Sequence, residues 1–366
     1  MASHPEPNEP TPKISVIMPL FNTAPYVGAA VESLLAQTFE DFELLVVDDG
    51  STDGSPGIVS AFTDPRIRLF QEGKLGGPAA ARNLGLTKAR GNYIAFFDSD
   101  DLATPNMLAE LIEFLTTHPD FRIVGGWLET IDEQECSFGK GSGCQVAPET
   151  LASTMLFRNC LPTSTLCMHR NCLDGQEFDV SLTLASDYDM WAKLVIKHKA
   201  HVLPRVLGRY RWHPQNITHQ KKAFGDECRN RIFRRQLARL GVEPSPEETL
   251  LHARLTKLTF GTSKQTALAA ESWLLKLAEA NTASMVYAQE VFRRTLADQW
   301  YAVCHSAAGQ GWWTFWTFIH SPLAKWASLT AGQYYNLLRL SARGALKKML
   351  VRATHPPETS LNSPHQ

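Results

Sequence analysis

Gly91-Asn-Tyr-Ile-Ala-Phe-Phe-Asp-Ser-Asp-Asp101 joins an apolar run to a knot of carboxylates. Tyr93 to Phe97 are aromatic, β-branched or small, and such an unbroken run suits a strand buried on both faces. Asp98, Asp100 and Asp101 follow at once. They would repel one another inside a packed core, so the strand end is expected to open into a cleft that holds a cation. Asp98 and Asp100, one residue apart, can both reach one ligand from a splayed strand end. An isolated Asp-x-Asp is more often a polar turn whose Asp caps the next helix, and the flanking residues have to decide between the two.

Upstream, Ile14 to Leu20 is a short apolar run through Pro19, and Asn22, Thr23 and Pro25 read as a turn and helix start. The spacing of Val27, Ala30, Val31, Leu34 and Leu35 predicts a helix to about Gln37 with one face on a sheet. Phe42 to Val47 is then a buried strand ending in Asp48-Asp49-Gly-Ser-Thr-Asp53. Strand, helix and strand of this length predict a parallel pair with a right-handed crossover. In open α/β sheets ligands bind at the carboxyl ends of strands, where both acidic clusters fall. Ile67 to Phe70 reads as a third strand, Gly73 to Gly77 as a flexible loop, and Ala79 to Leu86 as a helix start carrying Arg82 and Asn83. Neither the Gly-x-Gly-x-x-Gly nor the Gly-x-x-x-x-Gly-Lys fingerprint occurs. Phosphates must be held some other way, and a carboxylate-bound Mg2+ or Mn2+ is the open chemical route.

The 366 residues, 44% hydrophobic, can bury a large core and suggest one large or two ordinary domains. A net charge of -1 removes global steering toward nucleic acid, and no nucleic-acid partner is expected. The 7 Cys have irregular spacings without a Cys-x-x-Cys pair or zinc pattern, and read as reduced thiols of a cytoplasmic protein. Ala2 to Pro12 reads as a disordered lead, neither signal peptide nor anchor. No window reaches the roughly 18 uninterrupted apolar residues of a membrane-spanning helix.

Four segments in one order and spacing, Ser15-Val-Ile-Met-Pro-Leu-Phe-Asn22, Leu45-Val-Val-Asp-Asp-Gly-Ser-Thr-Asp53, Ala80-Ala-Arg-Asn-Leu-Gly85 and Tyr93-Ile-Ala-Phe-Phe-Asp-Ser-Asp-Asp101, resemble the family 2 inverting glycosyltransferases of the GT-A fold. The resemblance implies a Rossmann-like, mostly parallel sheet flanked by helices over residues 13–222. It also implies transfer of a sugar, with inversion, from a nucleoside-diphosphate sugar to an acceptor hydroxyl, aided by divalent Mn2+ or Mg2+. UDP is the nucleotide by family habit, with GDP or dTDP open. Carried over residue by residue, Asp48 and Asp49 meet the nucleobase and ribose, Pro19 and Arg82 belong to the donor side, Asp98 contacts ribose or metal, and Asp100 is the direct metal ligand. A carboxylate that accepts from a base N–H or a ribose hydroxyl fits that chemistry. Asp101 either supports the metal from outside its ligands or begins the loop to Thr104, whose hydroxyl can cap a helix at Pro105.

Leu108, Leu111, Ile112 and Leu115 predict an amphipathic helix, Ile123 to Leu128 a buried strand, and Asp132 to Pro148 a variable loop on the acceptor side. After Pro162-Thr-Ser-Thr165 comes Ala185-Ser-Asp-Tyr-Asp-Met-Trp191, where Met190, Trp191, Leu194 and Val195 predict a helix with Asp187 at its N-terminus. A helix-start Asp is ordinarily a cap. In the family the string is Glu-Asp-Tyr-Asp-Leu-Trp, and the resemblance makes Asp187 the general base, with Asp189 as fallback. Ser186 stands where Glu is usual, so no role is carried over for that neighbouring carboxylate. Val202 to Tyr210 reads as a last strand leading to Arg211-Trp-His213. The resemblance has Arg211 or His213 closing over the diphosphate, with His213 reaching the metal. Processive synthases of this fold carry Gln-x-x-Arg-Trp, but Gly208 stands three before Arg211, so that motif is absent.

Residues 223–352 read as helical, with a capping box at Ser245-Pro-Glu-Glu248, and 353–366 as a disordered tail. No acid lies between Asp298 and Glu358, while Lys325, Arg339, Arg343, Lys347, Lys348 and Arg352 do, among Trp300, Trp312, Trp313, Trp316 and Trp326. A helical bundle with Trp in its core, a homodimer interface and a peripheral contact with the inner face of a membrane all fit this pattern. The expected partners are a nucleotide sugar and a glycan or lipid-linked acceptor. Two rivals remain: a catalytically silent sugar-nucleotide-binding scaffold, and a sugar-1-phosphate nucleotidyltransferase. The latter needs a Gly-rich basic loop after the first strand, which Pro19 to Pro25 lack.

Overall fold

The computed structural model describes residues 11–139, 145–216, 222–257 and 263–354. The expected lead at 1–12 and tail at 353–366 lie almost wholly outside the described residues, as do residues 140–144 of the expected acceptor-side loop. Two compact units divide the chain, Met1–Phe233 and Arg234–Gln366. The first runs past the expected limit at 222 because Cys228, Ile232 and Phe233 are buried in its core.

The first unit is built on one sheet. Strands β1 (Ile14–Leu20), β2 (Phe42–Asp48), β3 (Ile67–Gln71) and β4 (Tyr93–Phe96) are linked by helices α1 (Ala24–Leu35), α2 (Ser55–Ser60) and α3 (Pro78–Lys88). After β4 come β5 (Leu102–Ala103), α4 (Met107–Thr117), β6 (Ile123–Ile131), β7 (Ser137–Gly139) and α5 (Pro148–Thr154). The unit continues through β8 (Leu166–His169), α6 (Ser186–Lys197) and β9 (Ala200–Arg211), and α7 (Lys222–Arg239) carries its boundary. The strand order is β3-β2-β1-β4-β8-β6-β9-β5, with β7 on β6. β3, β2, β1 and β4 are parallel, as the crossovers predict; β8 enters antiparallel between β4 and β6, and β6 and β9 run parallel again. The sheet is therefore mixed, and its parallel half carries both acidic clusters.

Alternation along the strands buries both faces. Ile14, Val16, Met18 and Leu20 of β1 join Leu44, Val46, Ala95 and Phe97 under α1 and α4, while Ile17, Leu45, Ile94 and Phe96 pack toward Trp191 of α6 and Phe178. Thr104 does not cap α4. Its hydroxyl donates to the Leu207 carbonyl at 2.9 Å, and the helix starts later, at Met107 behind Asn106. Thr104 instead ties the segment after the acidic turn to β9.

The second unit is helical, with α8 (Pro246–Lys257), α9 (Lys264–Ser284), α10 (Gln289–Ser306), α11 (Trp313–His320) and α12 (Ala331–Thr354). The capping box at the start of α8 forms in both directions: the Ser245 N–H donates to Glu248 Oε2 at 2.9 Å and the Glu248 N–H to Ser245 Oγ at 3.2 Å. Trp273 and Trp300 are core residues, whereas Trp312 and Trp316 are exposed. No described helix is long and apolar enough to cross a membrane.

Candidate active site

The carboxyl ends of β1, β2 and β4 lie side by side, with Leu20 beside Asp48 and Phe96 beside Ile17; Pro19 sits one residue from the end of β1. Asp48 ends β2, and one of its oxygens accepts the Ser51 N–H at 3.1 Å. Asp49 is engaged differently. Its Oδ1 accepts from the N–H groups of Leu75 at 2.5 Å and Gly76 at 2.8 Å, and its Oδ2 from Gly77 at 2.7 Å. Gly76 and Gly77 adopt φ of +104° and +118°, which a residue with a Cβ reaches only under strain, and this lets successive N–H groups converge on one carboxylate. The segment expected as a flexible loop is thus tied to the end of β2, directly ahead of α3 and Arg82.

Arg82 is buried, and its Nη2 donates to Asp98 Oδ1 at 2.7 Å. Its guanidinium lies 5.8 Å from the Phe178 ring centroid, and its Nε is buried without a hydrogen-bond partner among the described residues. Asp98 to Asp101 form the turn from β4 to β5, which a short helical turn at Thr163–Thr165 supports from behind. Ser164 Oγ donates to Asp101 Oδ2 at 2.5 Å and accepts the Asp98 N–H at 3.2 Å. Thr163 Oγ1 donates to Asp187 Oδ2 at 2.7 Å, and Asp187 lies in the first turn of α6. Ala185 precedes that helix in the left-handed region, at φ +58°, a local strain placed where the chain delivers Asp187. Asp189, the fallback, is buried and pairs with Lys193 at 2.5 Å.

Electrostatics bind these groups into one cluster. Withdrawal from water pushes Asp98 above its ordinary pKa, and the negative charges of Asp100 and Asp187 add to this against the opposing pull of Arg82. Burial, then Asp100 and Asp98, raise Asp101 well above the carboxylate range, although Ser164 and the Arg211 N–H counter them. Burial and the same three carboxylates raise the Tyr210 phenol.

The end of β9 closes the other side. The Arg211 N–H donates to Asp101 Oδ1 at 3.0 Å, and its Nε donates to the Asp100 carbonyl at 3.0 Å. Its Nη2 pairs with Glu135 at 3.1 Å. His213 is buried with Nε2 3.1 Å from Asp100 Oδ2, and Asn216 Nδ2 donates to the same oxygen at 3.2 Å. Tyr26 packs against His213 with ring centroids 4.4 Å apart and planes tilted by 35°, lies under Arg211 and donates to Glu133 at 3.0 Å. Burial, helped by Glu133, pushes the Tyr26 phenol up to about 12.

The structure therefore brings Arg82, Asp98, Asp100, Asp101, Asp187, Arg211 and His213 to one region at the carboxyl edge, with Asp48 and Asp49 at the neighbouring strand end. Among the described residues, no three His, Cys, Asp or Glu side chains gather as a ready metal cage. Asp100 and His213 offer one carboxylate and one imidazole, while Asp98 is engaged by Arg82. An incomplete donor set of this kind fits Mn2+ or Mg2+, which complete their shells with the phosphate oxygens of a substrate. A cation would also relieve the crowding that raises Asp98 and Asp101.

Thr163, Ser164, Asn216 and Tyr26 carry no role from the sequence alone, yet the first three hold Asp187, Asp101 and Asp100 in place and Tyr26 packs against His213. The hydroxyl run at Thr163–Thr165 and the Asn three residues after His213 were the available signals, and neither is distinctive alone.

Residues 15–139 match the model of glycosyl transferase family 2. Glycosyltransferase GlyG of Streptococcus pneumoniae is 39% identical over 127 residues, 34% of this chain and 42% of that protein, so the chain spans about two fifths of that relative's length. The Escherichia coli protein WfgD, named UDP-Glc:alpha-D-GlcNAc-diphosphoundecaprenol beta-1,3-glucosyltransferase, is 32% identical over 183 residues, 50% of this chain and 69% of its own. The chain belongs to glycosyl transferase family 2. The crystal structure of S. aureus TarS 1-349 in complex with UDP-GlcNAc superposes with a TM-score of 0.54 at 18% identity, covering 82% of this chain and 93% of that one, and so shares the fold.

Proposed function

We propose that this chain moves one sugar from a nucleoside-diphosphate sugar to an acceptor hydroxyl with inversion at the anomeric carbon. The observation that carries this reading is the meeting of Asp187 with Asp98, Asp100 and His213 between two buried arginines at the carboxyl edge of the sheet. Asp187, oriented by Thr163, takes the acceptor proton while the acceptor oxygen attacks the anomeric carbon from the face opposite the diphosphate. The bond from carbon to phosphate oxygen breaks in the same displacement, and one displacement inverts. Arg82, with a buried N–H still to satisfy, and Arg211 meet the charge that develops on the departing diphosphate. Asp100 and His213 would hold Mn2+ or Mg2+, which supplies further neutralisation there. Asp48 and Pro19 line the base and ribose side, and Asp49 acts through the loop it holds.

The UDP-GlcNAc of the TarS complex and the UDP-Glc of WfgD's name favour a UDP donor. WfgD's diphosphoundecaprenol acceptor favours a lipid-linked or glycan acceptor in cell-surface polysaccharide biosynthesis. A cytoplasmic chain serving such an acceptor works at the inner face of the membrane, in peripheral contact with it. The test is transfer and donor hydrolysis with and without Mn2+, for the wild type and Asp187→Asn. The variant is expected to keep nucleotide-sugar binding in a thermal shift and to lose about 10²–10⁴-fold in transfer. Near wild-type transfer would remove Asp187 as the base; donor binding without any metal-dependent turnover would favour the scaffold.

A further inference from the structure

Helix α12 has an inner face and an outer one, and among the described residues only the inner face is used within its own unit. Leu337, Ser341 and Gly344 are buried, and Gly344 approaches so closely that an added Cβ would collide with the Gly309 backbone. On the far side Tyr335, Leu338, Ala342, Leu346 and Met349 recur at three- and four-residue spacing. Tyr335, Leu346 and Met349 are 64%, 59% and 64% exposed, and Leu338 is also open to solvent. Arg339, Arg343 and Lys347, all exposed, form a ridge at four-residue spacing along this stripe.

We propose that this outer face of α12 is a docking surface for an anionic lipid bilayer, with Tyr335, Leu338, Leu346 and Met349 entering the headgroup boundary and Arg339, Arg343 and Lys347 meeting lipid phosphates. Charge complementarity selects this occupant over a second copy of the chain. A two-fold dimer sets the same patch against itself, and no Asp or Glu occurs between Asp298 and Glu358 to answer the basic ridge. An anionic surface answers every one of those charges, and an aromatic and aliphatic stripe beside a basic edge suits a helix lying in the interface plane. The surface follows from the helical unit alone and stands whether or not the chain transfers a sugar.

The test is cosedimentation of the full chain with vesicles of phosphatidylcholine alone or with phosphatidylglycerol, beside light scattering without vesicles. Binding is expected only with phosphatidylglycerol and is expected to fall at high salt. It should drop about tenfold or more in the combined Arg339→Glu, Arg343→Glu, Lys347→Glu variant, and again in Leu346→Gln with Met349→Gln. All these positions are exposed, and circular dichroism checks that both variants fold. Binding to neither vesicle, equal binding to both, or a dimer that the Leu346→Gln, Met349→Gln pair dissociates would overturn the proposal. A nucleotide-sugar thermal shift on the same preparations reports on the donor site separately.

Discussion

At the scale of single residues, hydroxyl groups aim the carboxylates. Thr163 donates to Asp187, so Thr163→Val leaves the proposed base without its orienting partner while preserving side-chain volume. We expect turnover to fall about tenfold with little change in KM for the donor, and Thr163→Ser to restore most of it. Steady-state kinetics on the three proteins checks this, and an unchanged kcat in Thr163→Val would refute the positioning role. Asp49 makes a different prediction. Replacing its carboxylate by the Asn amide leaves one accepting oxygen for three converging N–H groups and turns a donor NH2 on the third. Asp49→Asn should weaken nucleotide binding, read by calorimetry, through the Leu75–Gly77 segment rather than through lost contact with the base. This is also where sequence reading reached its limit. Arg82 beside Asp98 and His213 beside Asp100 belong to motifs that can be read, but the other partners of the acids are backbone N–H groups and ordinary Ser, Thr and Asn side chains, which carry no pattern.

At the scale of elements, the legible features were those with a period or a punctuation mark. The strands at Ile14–Leu20 and Phe42–Asp48 and the helix at Ala24–Leu35 follow from apolar spacing and a Pro near the helix start. What the spacing could not supply is partner choice: β8 enters between β4 and β6, and β5 is a two-residue strand against β9. Both pairings join segments far apart in the chain, where local preference is silent. The helix Trp313–His320 falls in a stretch that reads as helical, but its bounds are not legible because its run of aromatics lacks an N-terminal signal. The capping box before α8 was readable, since two residue types at fixed separation state the geometry. Ser245→Ala should cost about 1 kcal/mol of stability, seen as a lowered denaturation midpoint with donor binding intact.

At the scale of the whole molecule, two groups of carboxylates give opposite pH responses. Burial works against ionisation of Glu43, yet Ser15, Arg68 and the Arg90 N–H hold its pKa below the ordinary value. A depressed carboxylate stabilises the fold above its unfolded pKa and loses that contribution as pH falls through the folded value, below about pH 4. Asp98 and Asp101 are raised, so they cost stability when ionised, and the fold gains as pH falls from their raised values toward the ordinary one. Chelated protein should therefore gain heat stability as pH falls from neutrality toward the ordinary carboxylate range and lose stability again below about pH 4. Added Mn2+ should move the optimum toward neutral pH. Thermal denaturation across pH with EDTA or Mn2+ checks both, and identical curves would remove the cation from the acidic turn.

The partners of the acidic turn arrive late in the chain. Asp101 is met by Arg211 110 residues on, and Asp100 by His213 and Asn216 113 and 116 residues on. During synthesis at about 5–20 residues per second, the ribosome therefore exposes these aspartates for roughly ten seconds before β9 exists to receive them. A half-built sheet in that interval would present these carboxylates to water without their partners. Like charge on such an edge is expected to oppose its pairing with other chains until the last strand is delivered.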